Sequence, residues 1–302
     1  MDMVDSIADI IRQNSSTLEP LPTGELPVIQ PLPGIRAVLF DVYGTMFISG
    51  SGEVGTVDSG THAAVFCDAM QAAGIASDCS GAEGVSRLHS EIANSHAKSR
   101  RKGITHPEVD IVEVWADVLD SLFRDGLVAG DACDKPTLRE LAIQYEVRAN
   151  PAWPMPGIIE CLAELRNAGL LLGIISNAQF FTPSLFPALL SGDTDAIGFH
   201  SQLQFYSYRY GQAKPGKFLY ERAAEELATL GMKPSETLFV GNDMLNDVTA
   251  AVDIGFRTAL FAGDSRSLRW RTGDERVANT TADIVLTHLD QLPDCVIAPL
   301  SP

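Results

Sequence analysis

The sequence is poor in positive charge, in cysteine and in long hydrophobic runs. Its 302 residues include 22 basic against 39 acidic side chains, a formal net charge of −17. A chain this acidic repels a phosphate backbone unless its few cations cluster, which argues against a nucleic-acid partner. The apolar run at 170–175 is too short to span a bilayer, which argues against a membrane partner.

The number and spacing of the cysteines indicate the cellular compartment of the protein. There are five, an odd number, widely spaced and without a CxxC pair, which excludes a disulfide framework and a zinc site of the usual spacing. The N-terminus is acidic where a secretory signal carries positive charge. We therefore expect reduced thiols and a cytoplasmic protein.

The first 34 residues differ in composition from the rest. A short amphipathic stretch around Ile7, Ile10 and Ile11 precedes a segment with five prolines between 20 and 33. Proline at this density removes backbone donors and favours an extended chain. Residues 1–34 are predicted to form a proline-rich arm, either wrapped on the surface or a loose leader.

The α/β pattern lies in two stretches, 35–50 and 154–302. Residues 37–40 form an apolar run typical of a strand that is buried on both faces. After Pro156, helices that end at glycine alternate with short apolar strands, which predicts a doubly wound parallel sheet. The predicted helices are 157–168, 217–230 and 244–254, and the predicted strands are 171–175, 237–240, 257–261 and 284–286.

The stretch between them, 51–153, has a different pattern. A glycine-rich flap around residues 50–60 is followed by four amphipathic helices, the third starting at Pro107 and the fourth after Pro136, with no strand. The first strand is thereby separated from the others. We expect this block to form a helical cap over the carboxyl edge of the sheet, where such sheets bind ligands.

Polar residues stand at the predicted carboxyl edge in four places. Each has a plain structural alternative: a turn, a helix cap or a solvated lysine. Four such places on one edge favour a functional site. They are Asp41 in Asp41-Val42-Tyr43-Gly44-Thr45, then Ser176-Asn177, then Lys214-Pro215, then Gly241-Asn242-Asp243 with Asp247 four residues later.

This ordered set resembles the motifs of the haloacid dehalogenase (HAD) superfamily, over roughly residues 35–290. The resemblance implies the α/β core, a helical cap inserted between the first and second motifs, and a hydrolase. An aspartate is ionised at neutral pH, so Asp41 is the expected nucleophile. Lys214 would balance charge on nucleophile and substrate, Ser176 and Asn177 would bind the oxygens of the transferred group, and Thr45 would hydrogen-bond near the nucleophile.

When a carboxylate attacks a phosphate ester, two anions approach each other, and a cation is needed to offset their repulsion. Mg²⁺ suits the oxygen ligands of Asp41, the backbone carbonyl of Tyr43 and Asp243, and the resemblance implies Asp247 as a second acidic partner. The sequence therefore predicts Mg²⁺-dependent hydrolysis of a small phosphomonoester through an aspartyl-phosphate intermediate.

Tyr43 keeps an alternative open. Most phosphatases of the superfamily place a second aspartate there, whereas Asp-x-Tyr-Gly-Thr is the form found in 2-haloacid dehalogenases, which attack carbon without a metal. A phenol is a poor base at neutral pH. The paired acids Asp243 and Asp247 favour the phosphatase, since a dehalogenase needs no cation. A binding protein that has lost efficient turnover is a third hypothesis.

The predicted cap contains the one dense basic run, residues 98–102. Arg100 and Arg101 are candidates for contacting a small anionic substrate, because a guanidinium binds phosphate or carboxylate bidentately. The alternative is a solvated helix end, where cations are also favoured.

Overall fold

A computed structural model describes residues 3–51, 59–129 and 134–297. The predicted flap glycines Gly52 and Gly55, and also Cys133, lie outside these ranges. The strands are β1 (Ala37–Phe40), β2 (Phe47–Ser49), β3 (Ala152–Pro154), β4 (Leu171–Ser176), β5 (Phe199–Tyr206), β6 (Thr237–Gly241), β7 (Arg257–Phe261) and β8 (Ile284–Leu286). The α-helices are α1 (Met3–Asn14), α2 (Ser59–Ala72), α3 (Gly81–Arg101), α4 (Ile111–Arg124), α5 (Lys135–Ala149), α6 (Ile158–Asn167), α7 (Leu185–Leu189), α8 (Thr194–Ile197), α9 (Phe218–Thr229), α10 (Ala250–Val252) and α11 (Gln291–Val296).

Six parallel strands form the central sheet, in the order β5-β4-β1-β6-β7-β8. Successive side chains of β1 point to opposite faces: Val38 and Phe40 belong to the hydrophobic cluster under α6, whereas Ala37 and Leu39 belong to the one under α9. Helices thus cover both faces, and the predicted doubly wound α/β sheet is confirmed. The carboxyl ends of β1, β4 and β6 are neighbours at its centre.

The helical insert, which we define as α2 to α5, has a hydrophobic cluster of its own. Trp115 of α4 is fully buried and packs against Phe66 and Tyr145 at ring-centroid distances of 5.8 and 5.4 Å. A two-stranded antiparallel sheet, β2 with β3, lies where the chain leaves the core and returns to it. The insert therefore buries apolar surface within itself and is joined to the core by a paired connection.

The N-terminal segment lies on the core. Ile7 and Ile11 of α1 are buried, and α1 contacts both α5 of the insert and α7 of the core. Further along, Val28 exchanges backbone hydrogen bonds of 2.9 and 3.0 Å with Val285 of the edge strand β8. Of the two forms expected for the arm, the described residues adopt the wrapped one.

Several predicted elements differ from the structure. The helix expected to start at Pro107 begins at Ile111, capped by the Asp110 carboxylate, which accepts a hydrogen bond from the amide of Val112. The helix expected over 244–254 is a π-helical turn at Met244–Thr249 followed by the short α10. Strand β5 was not predicted, because Ser201 and Gln202 are exposed at this sheet edge and interrupt the apolar pattern.

Candidate functional site

The side chains of Asp41, Lys214 and Asp247 meet at the carboxyl edge of the sheet. The Lys214 Nζ donates to Asp41 Oδ1 at 2.7 Å and to Asp247 Oδ1 at 2.6 Å. All three are buried, with side-chain exposures of 3% for Lys214, 9% for Asp41 and 1% for Asp247. Buried charges are tolerated when they are paired and hydrogen-bonded, as they are here.

Each member of this cluster is placed by a different element. Asp41 follows β1 directly, and its amide donates to the carbonyl of Val240 on β6 at 2.9 Å. Lys214 comes from a loop that Asn177 fixes: Asn177 Oδ1 accepts from the Lys214 amide at 2.7 Å, and its Nδ2 donates to the Lys214 carbonyl at 3.1 Å. The Asn177 side chain thus orients the lysine.

Asp247 is turned toward the cluster by the π-helical turn. Its Oδ2 accepts hydrogen bonds of 3.0 Å from the amides of Asn242 and Asp243. A side chain at Gly241 would collide with the Asp247 carboxylate, since a Cβ at that position would lie 2.4 Å from its Cγ. π-Turns often occur at functional sites, and this one puts a carboxylate beside the end of β6.

The electrostatics follow from burial and pairing. Burial alone would lower the pKa of Lys214, but the carboxylates of Asp247 and Asp41 outweigh it and raise the pKa above its usual value. Burial, together with the charges of Asp41 and Asp243, raises the pKa of Asp247, while Lys214 opposes this. The ammonium group is therefore firmly charged between two carboxylates that compete for it.

Asp243 is engaged elsewhere. Its Oδ1 accepts from the amides of Leu245 and Asn246, at 2.8 and 3.1 Å, and so caps the π-helical turn. Arg271 donates to it through Nε, 3.1 Å from both carboxylate oxygens, and through a terminal nitrogen at 2.5 Å. The carboxylate predicted as a metal ligand is paired with a guanidinium.

The loop after β1 packs tightly against a segment around residue 267. Gly44 has a φ of +78°, and a Cβ at this position would lie 2.5 Å from the Cβ of Ser267 and 2.8 Å from Asn242 Nδ2. Thr45 Oγ1 donates to Asn242 Oδ1 at 3.2 Å. Thr45 therefore ties the loop after β1 to the end of β6.

The Tyr43 hydroxyl is poorly suited to act as an acid or a base. It lies 3.1 Å from the Thr182 hydroxyl, and burial, with Glu146 and Asp41 contributing, raises the pKa of Tyr43 well above its usual value. The phenol stays protonated at any pH of interest. It is held as a neutral hydrogen-bonding group within reach of the charge of Asp41.

Ser176 is at the end of β4, next to β1, and is fully buried; its hydroxyl makes one long hydrogen bond of 3.3 Å, to the Asn177 carbonyl. Arg100 and Arg101 lie in the last turn of α3, at the surface of the insert. Over the described ranges neither makes a hydrogen bond or an ion pair with Asp41, Lys214 or Asp247, so a role in substrate binding stays a prediction for both.

The insert reaches the site through a different segment. Glu108 accepts hydrogen bonds from the Ser207 hydroxyl at 2.6 Å and from Gln179 Nε2 at 3.1 Å. Next to it, the His106 carbonyl accepts from the amide of Ala213, the neighbour of Lys214, at 2.8 Å. Burial raises the pKa of Glu108. This segment of the insert contacts the loops that present Asn177 and Lys214.

The predicted Mg²⁺ ligands are unequal in this arrangement. Asp41 Oδ2 and the Tyr43 carbonyl accept no hydrogen bond from any described residue, and both are hard oxygen donors that fit Mg²⁺. Asp243 and Asp247 are engaged by Arg271, Lys214 and backbone amides. Within the described ranges, no three His, Cys, Asp or Glu side chains are arranged to hold a metal ion. The donor chemistry fits, with Asp243 required to leave Arg271.

Sequence reasoning missed Arg271 and Glu108, and it assigned no role to Asn242. Asn242 lies inside one of the four motifs, but its neighbour Asp243 is the more obvious ligand. Arg271 is 28 residues beyond Asp243 in a loop without a strand pattern, and has a positive φ of 54°. Glu108 directly follows Pro107, which predicts the start of a helix. A prediction of non-helical chain over 106–109 would have made Glu108 a candidate for contacting the core.

Comparisons with known proteins identify the family of this chain. A family model described as a haloacid dehalogenase-like hydrolase matches residues 35–255. A curated relative, ribulose-1,5-bisphosphate 5-phosphatase of Halopiger xanaduensis, is 28% identical over 57% of this chain and 64% of its own. Rhythmically expressed gene 2 protein of Drosophila melanogaster is 25% identical over 52% of this chain and 59% of its own. The matches thus span less than two thirds of these relatives.

Among solved structures, a 2-haloacid dehalogenase from Pseudomonas syringae pv. Tomato DC3000 aligns with a TM-score of 0.52 and 18% identity. The alignment covers 86% of this chain and 97% of that one, and at this identity it shows the fold alone. The fold and the ordered motifs define an α/β hydrolase with an aspartate at the end of its first sheet strand. The chain belongs to the haloacid dehalogenase-like hydrolases.

Proposed function

We propose that this hydrolase cleaves small phosphomonoesters, with Asp41 as the nucleophile. The observation that carries the proposal is the asymmetry of the Asp41 carboxylate: Oδ1 is held by Lys214 at 2.7 Å, while Oδ2 accepts no hydrogen bond from the described residues. An oriented carboxylate with one unshared oxygen is equipped for attack. The curated relative whose name denotes a sugar-bisphosphate phosphatase supports phosphorus as the target.

The reaction has two displacements. Asp41 Oδ2 attacks the phosphorus and the bond to the ester oxygen breaks. An acyl phosphate forms on Asp41, and the leaving oxygen departs as an anion that takes its proton from solvent. Water then attacks this phosphorus, and inorganic phosphate leaves with regeneration of the Asp41 carboxylate. Lys214 stays hydrogen-bonded to Oδ1 and offsets negative charge, and the Ser176 hydroxyl with the Asn177 backbone would bind the oxygens of the transferred group.

The proposed reaction uses Mg²⁺ as a cofactor. The Asp41 carboxylate and the Tyr43 carbonyl would hold it, with Asp243 released by Arg271 and Asp247 in support. When bound, the ion supplies positive charge that lets an anionic phosphoryl group approach the carboxylate.

Protonation of the leaving group distinguishes this site from one with a second aspartate. The neutral Tyr43 phenol is bound to Thr182 and its raised pKa makes it an ineffective acid and base. We therefore expect the rate to depend steeply on the leaving-group pKa. Aryl phosphates should be hydrolysed at least about 100-fold faster than alkyl phosphates, the scale of general acid catalysis.

Two observations favour a second candidate, a metal-independent 2-haloacid dehalogenase. Tyr43 stands where an acid is otherwise expected, and Asp243 is already neutralised by Arg271. A halide leaves carbon without protonation, so neither feature would hinder that reaction. A binding protein without efficient turnover is the third possibility.

The helical insert is proposed to act as a cap, since it contacts the loops after β4 and β5 at the carboxyl edge. The proposed substrate is a small anion, with no nucleic-acid or membrane partner. No helix in the described ranges is long and apolar enough to cross a membrane. Four described cysteines are free, which supports the expected cytoplasmic location.

One panel of assays separates these candidates. Phosphate release is measured from p-nitrophenyl phosphate and n-pentyl phosphate, and chloride release from 2-chloropropionate, each with Mg²⁺ and with EDTA. The proposal expects phosphate release that EDTA abolishes and that Asp41→Asn removes. Chloride release insensitive to EDTA would replace it with the dehalogenase, and no release of either would leave the binding protein.

A further inference from the structure

An arginine of the insert stacks on an aromatic ring where the insert meets the core. Arg139 is on α5, and its Cζ lies 3.9 Å from the centroid of the Phe180 ring. Its Nε is buried and makes no hydrogen bond with any described residue. Over the described ranges, the guanidinium has no carboxylate within ion-pair distance.

Two other cations of the insert have carboxylate partners. Arg87 binds Glu83 at 2.5 Å and Asp125 at 2.7 Å, and Lys98 lies 3.6 Å from Asp117. A chain with 39 acidic residues has no shortage of partners. Because withdrawing a cation from water without a partner costs free energy, a half-buried arginine that lacks one among the described residues is a candidate for binding an anion.

The position of Phe180 relates this arginine to the catalytic centre. Phe180 follows Asn177 by three residues in the loop after β4, and it packs against the hydrophobic clusters of both the insert and the core. The preceding residue, Gln179, accepts a hydrogen bond from the amide of Ile111 at 3.2 Å. Arg139 therefore lies over the loop that carries Ser176 and Asn177, on the side of the insert.

A guanidinium that lies over an aromatic ring can still donate hydrogen bonds through its terminal nitrogens. A guanidinium above an aromatic ring uses its π-face, so its N–H groups point outward in its own plane. That edge matches the two oxygens of a carboxylate or phosphate. No described hydrogen bond or ion pair joins Arg139 to Asp41 or Asp247, so Arg139 is not part of the buried cluster around Lys214.

We propose that Arg139 binds a second oxyanion of the substrate, at the end that does not react. The substrate class is then a phosphomonoester that carries a further phosphate or carboxylate. This inference rests on the proposed phosphatase activity. It adds to that activity a basis for the enzyme's selectivity among phosphomonoesters. The alternative is that Arg139 only packs the insert against Phe180.

Three esters of matched length separate these possibilities: 1,5-pentanediol bisphosphate, 6-phosphohexanoate and n-pentyl phosphate. The wild type is expected to show at least a tenfold higher kcat/KM for one of the two doubly anionic esters than for n-pentyl phosphate. Which one it prefers identifies the second group as phosphate or carboxylate.

Arg139→Met keeps an unbranched side chain over Phe180 and removes the charge. We expect it to reduce kcat/KM for the preferred doubly anionic ester 10- to 100-fold, mainly through KM, and at least tenfold more than for n-pentyl phosphate. The control is Arg124→Met, an exposed arginine of α4, which should not change this ratio. The melting temperatures of both variants report on folding.

Other outcomes overturn the inference. An equal loss on all three esters would mean that Arg139 only packs the insert, and an unchanged ratio would mean that no anion binds there. If the wild type hydrolyses none of the esters, the proposed function fails separately. Calorimetric titration with 1,5-pentanediol bisphosphate then tests the site by itself, and equal affinity of wild type and Arg139→Met would overturn it.

Discussion

The core and the helical insert hold their cations in opposite ways. In the core, the Lys214 side chain is 3% exposed and has two carboxylates at 2.7 and 2.6 Å. In the insert, the Lys98 side chain is 58% exposed and has one carboxylate at 3.6 Å. Charges inside a low-dielectric environment interact strongly and have fixed positions, whereas surface pairs contribute little. The difference shows where electrostatic energy is concentrated in this molecule.

The largest effect is expected at the core carboxylate with the unshared oxygen. Asp41→Asn should reduce kcat for phosphomonoester hydrolysis by at least about 10³-fold, because it removes the nucleophile while preserving the shape of the side chain. Steady-state kinetics measure this, with circular dichroism as the folding control. Retention of full activity would show that the buried cluster is structural.

Lys214 and Lys98 test the comparison directly. Lys214→Met leaves two buried carboxylates without their counter-ion, so we expect the free energy of unfolding to fall by about 3 kcal/mol. Lys98→Met, the matched surface variant, should change it by less than about 1 kcal/mol. Urea unfolding of both variants gives the two values. Similar losses for the two lysines would contradict the distinction between core and insert.

A half-buried acid of the insert refines the comparison, because not every charge there is fully on the surface. Burial raises the pKa of Glu146 on α5 to about 7 from its usual 4.5. Between these values the unfolded chain loses the proton and the folded chain keeps it, so stability falls as the pH rises through this window.

Glu146→Gln should therefore be more stable than wild type by about 1–3 kcal/mol above pH 7 and no more stable at pH 4. Urea unfolding across pH 4–8 measures the difference. The exposed Glu140 of the same helix provides the control, since Glu140→Gln should show no such trend. A pH-independent effect of Glu146→Gln would rule out this burial argument.

The smallest effect concerns the pair between Asp243 and Arg271. Arg271→Gln removes the guanidinium that competes for the carboxylate, so Mg²⁺ should bind about tenfold more tightly, the effect of about 1.4 kcal/mol. Isothermal titration with MgCl₂ measures this without reference to turnover. Weaker or unchanged binding would mean that Asp243 does not serve the metal.

What the sequence could predict depended on how local each signal was. Asp41 was found because an apolar run of four residues ends at it, and a parallel sheet brings such ends together. Lys214 was found from its place in an ordered set of motifs. The two partners of Lys214, Asp41 and Asp247, are 173 and 33 residues away from it in the chain. They follow strands β1 and β6, which the sheet topology makes neighbours.

No comparable sequence rule predicts the contacts that the loops and the insert make. Nothing in the local pattern places Arg139 over Phe180, since their approach depends on how α5 packs against the core. The basic run at 98–102 is conspicuous in sequence, yet density of charge does not determine which way a helix end points. Strand periodicity positions the core residues, whereas tertiary packing alone positions those of the insert.

The N-terminal helix constrains how the two regions move. Helix α1 contacts α5 of the insert and α7 of the core at the same time, with Ile7, Ala8 and Ile11 buried between them. Any rotation of the insert relative to the sheet must either break this apolar contact or pivot about it. A segment that precedes every predicted motif therefore restrains the insert on the side of α1 and leaves the opposite side without this restraint.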